Sequence, residues 1–312
     1  MKAPPPLSEL TGYLAPEGFV PELTQELGSA VVETHGRLVL ASGPERPVAW
    51  AANVWRDPVE IPIASIGDGA KKLRAIQRNW ALYSLEHHRR AALIVDKLPK
   101  VSAKPLEFGA PAPVAPLGSW TLVAPDRILA AASCTSAFPN GEAIFVEDRT
   151  APSRAYLKLW EALTLLGERP KPGERCIDLG SSPGGWTWVM QKLGARVVSV
   201  DKAPLDPSVA TLPGVEYRQE SAFGLDPRTI GPVDWLFSDV ICYPTRLLTL
   251  VQKWLAAGTA RRFVCTVKFQ GETDFDAMRG FAAIPGSRLM HLHHNKHELT
   301  WVKLEDRVKL DG

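Results

Sequence analysis

The sequence has no apolar run near the roughly 20 residues that span a bilayer, and its opening stretch, MKAPPPLSEL, lacks the apolar core of a secretory signal. Neither membrane insertion nor export is expected, which leaves the cytoplasm as the default compartment. Cysteine is scarce. Cys134, Cys176, Cys242 and Cys265 are widely spaced and form no CxxC pair, which argues against a disulfide framework. The last three sit in apolar stretches and read as reduced core residues. No metal is expected. The net charge is only +2 over 312 residues, so no global attraction to nucleic acid or membrane follows. Internal repeats are absent, and so is the dinucleotide fingerprint GxGxxG. What remains, at 45% apolar and 22% charged residues, is a soluble globular chain of one large or two ordinary domains.

The chain is organised around residues 176–201, CIDLGSSPGGWTWVMQKLGARVVSVD. A short apolar strand containing Asp178 runs into the small residues Gly180, Ser181, Ser182, Pro183, Gly184 and Gly185. Trp186, Val189, Met190 and Leu193 then recur at helical spacing up to Gly194. A β-branched strand follows and stops at Asp201. This is a strand-loop-helix-strand unit of a parallel α/β sheet. Its small residues let a ligand approach the backbone, and amides at a helix start are unsatisfied donors. An acidic residue ending the second strand suits a ribose diol. Pro183 removes an amide from the loop that would cradle a pyrophosphate. The loop therefore favours an adenosine cofactor without phosphates, S-adenosylmethionine, over NAD or FAD.

Residues 1–147 read as a smaller α+β domain. A strand ends near residue 16, and Phe19, Leu23 and Leu27 suit a helix stopped by Gly28. Residues 30–34 and 37–41 form a hairpin through His35-Gly36. Residues 48–51, 60–63 and 144–146 read as strand pieces, with Pro62 confining the second to an edge. From Gly69 a helix is expected toward Arg90, with Leu73, Ile76, Trp80 and Tyr83 on its apolar face. Opposite them stand Lys71, Lys72, Arg74 and Arg78, followed by Arg89 and Arg90. Residues 71–104 hold nine lysines and arginines against two carboxylates, a local excess of seven. That is a candidate RNA-binding surface, set against the usual meaning of a charge run, a solvated helix face. Prolines cluster at 4–6 and again at 104–116, where they read as a semi-rigid linker or long surface loop. A hairpin joins 120–123 to 128–131.

The second domain, 148–312, opens on a helix started by Pro152, with Tyr156, Leu159 and Leu163 as its buried stripe and Lys158 off it. Strands at 214–218, 233–237 and 262–267 alternate with helices over 247–255 and 275–282. An antiparallel hairpin closes the domain over 288–302. The alternation predicts an α/β, doubly wound, mostly parallel sheet. Ligands bind beyond the carboxyl ends of such strands. There Asp178, Asp201, Asp239 and Lys268 converge, with Lys158 entering from the preceding helix and Glu298 from the hairpin. A lysine amine beside a ribose hydroxyl can accept its proton, and a second lysine favours the neutral form. A carboxylate can orient both, and methyl transfer from a sulfonium needs only in-line positioning.

Residues 147–303 resemble the FtsJ-like (RrmJ-like) ribose 2′-O-methyltransferases, on PSRAYLKL from Pro152, DLGSSPGGW from Asp178, SVD to Asp201, Ser238-Asp239, Val267-Lys268 and HELT from His297. The resemblance implies a Rossmann-like methyltransferase fold binding S-adenosylmethionine. It places a Lys-Asp-Lys-Glu tetrad on Lys158, Asp239, Lys268 and Glu298. Lys268 becomes the proton acceptor, Lys158 and Asp239 position it, and Glu298 holds the substrate side. Asp178, Gly180, Ser182, Pro183, Gly184, Gly185, Trp186, Asp201, Ser221 and Asp239 become the cofactor set. Where the family often has an aspartate for the adenine amino group, this chain has Glu220-Ser221-Ala222. Tyr13 to Phe19 and Arg154 to Leu163 are also similar to a bacterial enzyme of this family that methylates a cytidine ribose in 23S rRNA. That implies an N-terminal THUMP-like RNA-binding domain and 23S rRNA as partner. The alternatives are an RNA-binding or ribosome-assembly factor with a degenerate methyltransferase domain, and, more remotely, an oxidoreductase using Asp201 for ribose.

Overall fold

A computed structural model describes residues 6–102 and 104–305; most of the 4–6 proline cluster lies outside them. The chain forms two compact units, Met1–Phe145 and Val146–Gly312.

The first unit contains β1 (Leu10–Leu14), α1 (Val20–Leu27), β2 (Val31–His35), β3 (Leu38–Ser42), β4 (Asn53–Arg56), β5 (Val59–Pro62), α2 (Ile66–Ile76), β6 (Trp80–Leu82), α3 (His88–Val95), β7 (Gly118–Ala124), β8 (Arg127–Ala131) and β9 (Ser133–Cys134). They build a five-stranded sheet, β2-β3-β1-β4-β9, and a four-stranded sheet, β5-β8-β7-β6. The hairpin through Gly36 is present, and Pro62 lies on the edge strand β5.

The single helix expected over 69–90 is instead two helices separated by a strand. The Ser65 hydroxyl accepts the Asp68 amide and starts α2, which ends at Gln77 with extended backbone. Trp80 then serves β6, which pairs with β7, and its indole N–H donates to the carbonyls of Leu73 and Gln77. Its helical spacing with Leu73 reflects burial in one core, shared with Ala91, Ile94 and Trp120, and not a common helix. Residues 48–51 and 144–146 are not strands; Phe145 makes a single bridge to Leu106.

The second unit contains α4 (Tyr156–Leu166), β10 (Arg175–Leu179), α5 (Gly185–Lys192), β11 (Arg196–Asp201), α6 (Pro207–Ala210), β12 (Val215–Gln219), α7 (Pro227–Ile230), β13 (Val233–Ser238), α8 (Pro244–Ala257), β14 (Ala260–Lys268), α9 (Phe275–Ala282), β15 (Ser287–Met290) and β16 (Glu298–Lys303). The sheet runs β12-β11-β10-β13-β14-β16-β15. Its first five strands are mutually parallel, and β16 and β15 are antiparallel additions. The strand order reverses at β10, so a crevice opens beyond the ends of β10, β11 and β13. Trp235, Phe237, Trp254, Phe263 and Trp301 are fully buried around the sheet, each stabilising it by about 2–3 kcal/mol. Pro152 does not open α4, which begins four residues later behind a bend. Lys158 does not sit off the buried stripe: every residue from Tyr156 to Leu163 is buried.

Candidate active site

The loop after β10 is shaped by its glycines. Gly184, at φ +114°, turns the chain into α5, and a Cβ there would lie 2.9 Å from Val209. The first three amides of the loop, ahead of the helix start, are taken up by the neighbouring strand. Those of Gly180 and Ser181 donate to the Val200 carbonyl, and that of Ser182 donates to Asp201 Oδ2 at 3.0 Å. Asp201 Oδ1 accepts the Ala203 amide at 2.9 Å. The acid at the end of β11 thus fixes the loop, while its remaining lone pairs stay available.

A cleft of about 520 Å³ lies at this crevice, lined by residues that include Ser153, Asp178, Gly180, Ser181, Ser182, Pro183, Gly185, Trp186, Asp201, Asp239, Val240 and Lys268. Three buried oxygens of its lining have no hydrogen-bond partner among the described residues: Asp178 Oδ1, Ser181 Oγ and Ser153 Oγ. A buried acceptor without a partner is costly, and three of them around one cleft are what a polar ligand would satisfy. The hydroxyls of Ser153 and Ser181 were missed at the level of sequence. Their only signal was membership of the PSRAYLKL and DLGSSPGGW segments. Ser221 and Gly184 do not line the cleft. Ser221 lies instead in the turn where its carbonyl accepts the Gly224 amide, and Gly184 acts through the backbone turn. Trp186 lines it while its indole N–H donates to the Ala155 carbonyl, tying α5 to the start of α4.

Asp178 is wholly buried in β10. Thr187 Oγ1 donates to its Oδ2 at 2.7 Å. Burial outweighs that bond and pushes the carboxyl up to about 7 from 3.8, helped by the charge of Asp239. As pH rises from about 4 to about 7, the unfolded chain gives up a proton that the folded chain keeps, so stability falls over that window and levels off above it. Asp178→Asn retains an acceptor for Thr187 and removes the titration. Urea unfolding of the ligand-free protein at pH 5 and pH 7.5 should show the wild type losing stability on the order of a few kcal/mol more than the variant. Equal losses would refute the assignment.

Across the cleft, four ionisable side chains meet. Lys158 Nζ lies 2.7 Å from Asp239 Oδ1 and 3.1 Å from Glu298 Oε1. Lys268 Nζ lies 3.1 Å from the same Asp239 oxygen and donates to the Asp239 carbonyl at 2.5 Å. All four side chains are at most 18% exposed, and two ammoniums balance two carboxylates. The fold dictates the meeting. Asp239 follows β13, Lys268 ends β14, and Glu298 begins β16 directly opposite Lys268 in the antiparallel register. Lys158 arrives from α4.

The six basic residues expected to face RNA fall on two helices and the connection after the first of them. Lys71, Lys72 and Arg74 lie on α2, Arg78 on the connection, and Arg89 and Arg90 on α3. Lys71, Arg74, Arg78 and Arg89 are exposed, whereas Lys72 is engaged by Asp68 and the Pro62 carbonyl. Among the described residues, no group of His, Cys, Asp and Glu side chains is placed to hold a metal. No helix among them is long and apolar enough to cross a membrane.

The sheet order, the glycine loop and the acid-ended second strand define the second unit as a Rossmann-like α/β domain of methyltransferase type. Residues 151–281 match the model of the FtsJ-like methyltransferase family, as the motifs of this region implied. Lys158, Asp239 and Lys268 fall inside the match and Glu298 beyond it. The chain is 38% identical over 171 residues to the ribosomal RNA large subunit methyltransferase M of Halorhodospira halophila, covering 52% of this chain and 50% of that protein. It is 36% identical over 168 residues to the protein of that name from Aromatoleum aromaticum, covering 49% and 45%. Against the one from Xylella fastidiosa it is 37% identical over 164 residues, covering 48% and 46%. The chain spans about half the length of these relatives.

Proposed function

We propose that the second unit methylates a ribose 2′-hydroxyl of RNA, a cytidine of 23S rRNA, with S-adenosylmethionine as donor. The observation that carries this reading is the Lys158–Asp239–Lys268–Glu298 cluster at the edge of a cleft that Asp239 and Lys268 themselves line. The cleft suits the donor: Asp201 offers a carboxylate for a ribose diol, and Asp178, Ser181 and Ser153 offer buried oxygens in need of partners. S-adenosylmethionine supplies an electrophilic methyl group on a sulfonium. The chain supplies position and a proton acceptor. Lys268 Nζ, once neutral, takes the proton of the 2′-hydroxyl as that oxygen gains the methyl. The carbonyl and carboxylate of Asp239 aim Nζ, and Lys158, set between two carboxylates, holds Asp239 in place. Glu298 bounds the substrate side.

The test is direct. The chain is incubated with methyl-labelled S-adenosylmethionine and a 23S rRNA transcript, and the modified ribose is mapped. Label on a cytidine 2′-oxygen supports the reading; no transfer, or label on a base, defeats it.

The first unit, a THUMP-like domain in this reading, grips the RNA through Lys71, Arg74, Arg78 and Arg89, and the protein works in the cytoplasm, where rRNA is made in bacteria. Binding through phosphates weakens with salt. Replacing these four by alanine should weaken RNA binding and flatten the log–log salt dependence by about one unit per lost phosphate contact. Filter binding between 50 and 300 mM salt (chosen to keep electrostatics resolvable) would measure both. An unchanged slope would remove the patch from the interface.

A further inference from the structure

Glu161 stands out as a carboxylate inside an apolar helix. It is 1% exposed, within the α4 sequence YLKLWEALTLL, where an aliphatic side chain would cost nothing in desolvation. Both its oxygens are consumed by one distant segment. Oε1 accepts the His293 amide at 2.7 Å, and Oε2 accepts the His294 amide at 3.0 Å and pairs with His294 Nδ1 at 2.7 Å. That segment, residues 291–297, joins β15 to β16 without regular structure. It leads straight into Glu298: the Asn295 side-chain Nδ2 donates to the Glu298 carbonyl and to Thr300 Oγ1, and the Lys296 backbone amide donates to Glu298 Oε1. Lys158, the partner of Glu298, lies one turn before Glu161 on the same face of α4.

We infer that Glu161 is a positioning residue for the cluster: by clamping the backbone at His293 and His294 it makes one helix set both the Lys158 ammonium and the Glu298 carboxylate. The inference rests on the methyl-transfer reading above. The geometry explains why a charge is kept in an apolar helix. Backbone amides can only donate, so a carboxylate, with acceptors on both oxygens, matches two adjacent amides where a glutamine would oppose one of them with its own N–H. The donor-binding side, built on β10, β11 and the glycine loop, does not depend on this clamp.

Glu161→Gln in the full chain should therefore split the measured parameters. The turnover number for methyl transfer falls about 10- to 100-fold, as misplacement of a reacting constellation by about 1 Å does, while the dissociation constant for S-adenosylmethionine by calorimetry stays within about twofold. Amide hydrogen exchange at His293 and His294 speeds up at least about tenfold. In a Glu298→Ala background the further loss from Glu161→Gln vanishes, because the group being positioned is gone. Unchanged turnover, unchanged exchange at those two amides, or a fully multiplicative loss in the double variant would each overturn the inference. Should Glu161→Gln not fold, Glu161→Asp, which keeps the charge and retracts it by one methylene, is read for the same split. A wild type that transfers no methyl sinks the functional reading instead, and the exchange measurement still decides whether the clamp exists.

Discussion

Lys268→Ala should abolish methyl transfer, lowering the turnover number by about 10³-fold while binding of S-adenosylmethionine stays within a few-fold of wild type; a positioned general base contributes that much. The expectation follows from where Nζ sits. It is at the end of β14, held by both the carbonyl and the carboxylate of Asp239, and it lines the cleft. Removing it leaves one ammonium for two carboxylates, but Lys158 still contacts both, Asp239 at 2.7 Å and Glu298 at 3.1 Å, so neither carboxylate is left without a cationic partner and the fold should survive with some loss of stability. Lys268→Arg separates charge from proton transfer. A guanidinium keeps the positive charge but does not give up its proton, so it should be nearly as inactive as alanine. If either variant retained more than about a tenth of wild-type turnover, Lys268 would not be the proton acceptor.

The parts of this site that could be read from sequence are those set by local pattern. A short apolar strand, a run of small residues, a helix and an acid-ended strand occupy 26 consecutive residues, and the structure reproduces them as β10, α5 and β11. Strand ends of a parallel sheet share one edge by construction, which is why Asp239 and Lys268 could be expected together. Pairings across long separations were less legible. Lys158 meets Asp239 across 81 residues, and its burial reverses the expectation from helix spacing, which saw an apolar stripe and a lysine off it. Whether a loop amide is free depends on the neighbouring strand: the carbonyl of Val200 and the carboxylate of Asp201 take three of them. The first unit shows the same limit. Trp80 fits helical spacing with Leu73, yet it pairs in a sheet with Gly118, 38 residues on. Short apolar segments of this kind satisfy both periods, and tertiary pairing decides between them.

The second large effect is expected at Gly180, where fold and chemistry depend on one missing side chain. Its φ of +80° disfavours any L residue, and a Cβ there would lie 2.5 Å from the Val240 Cβ and 2.6 Å from its Cα. The second collision is with backbone, so rotating a side chain cannot relieve it. Val240 follows Asp239, and yielding there would drag Asp239 from its contacts with both lysines. Gly180→Ala should cost about 3 kcal/mol or more, from left-handed strain of about 1–2 kcal/mol plus the overlap, and should lower the melting temperature of the second unit by roughly 6–12 °C. Methyl transfer should fall well beyond what the lost stability accounts for. Gly173→Ala is the control: φ there is +83°, but nothing lies within 4 Å of the added carbon. It should bear the strain alone and transfer methyl normally. Adding Val240→Gly to Gly180→Ala removes the side-chain overlap and leaves the Cα in place, so rescue should be partial at best. Full recovery of turnover in that double variant would mean that the backbone of Asp239–Val240 does not set the geometry of the cluster.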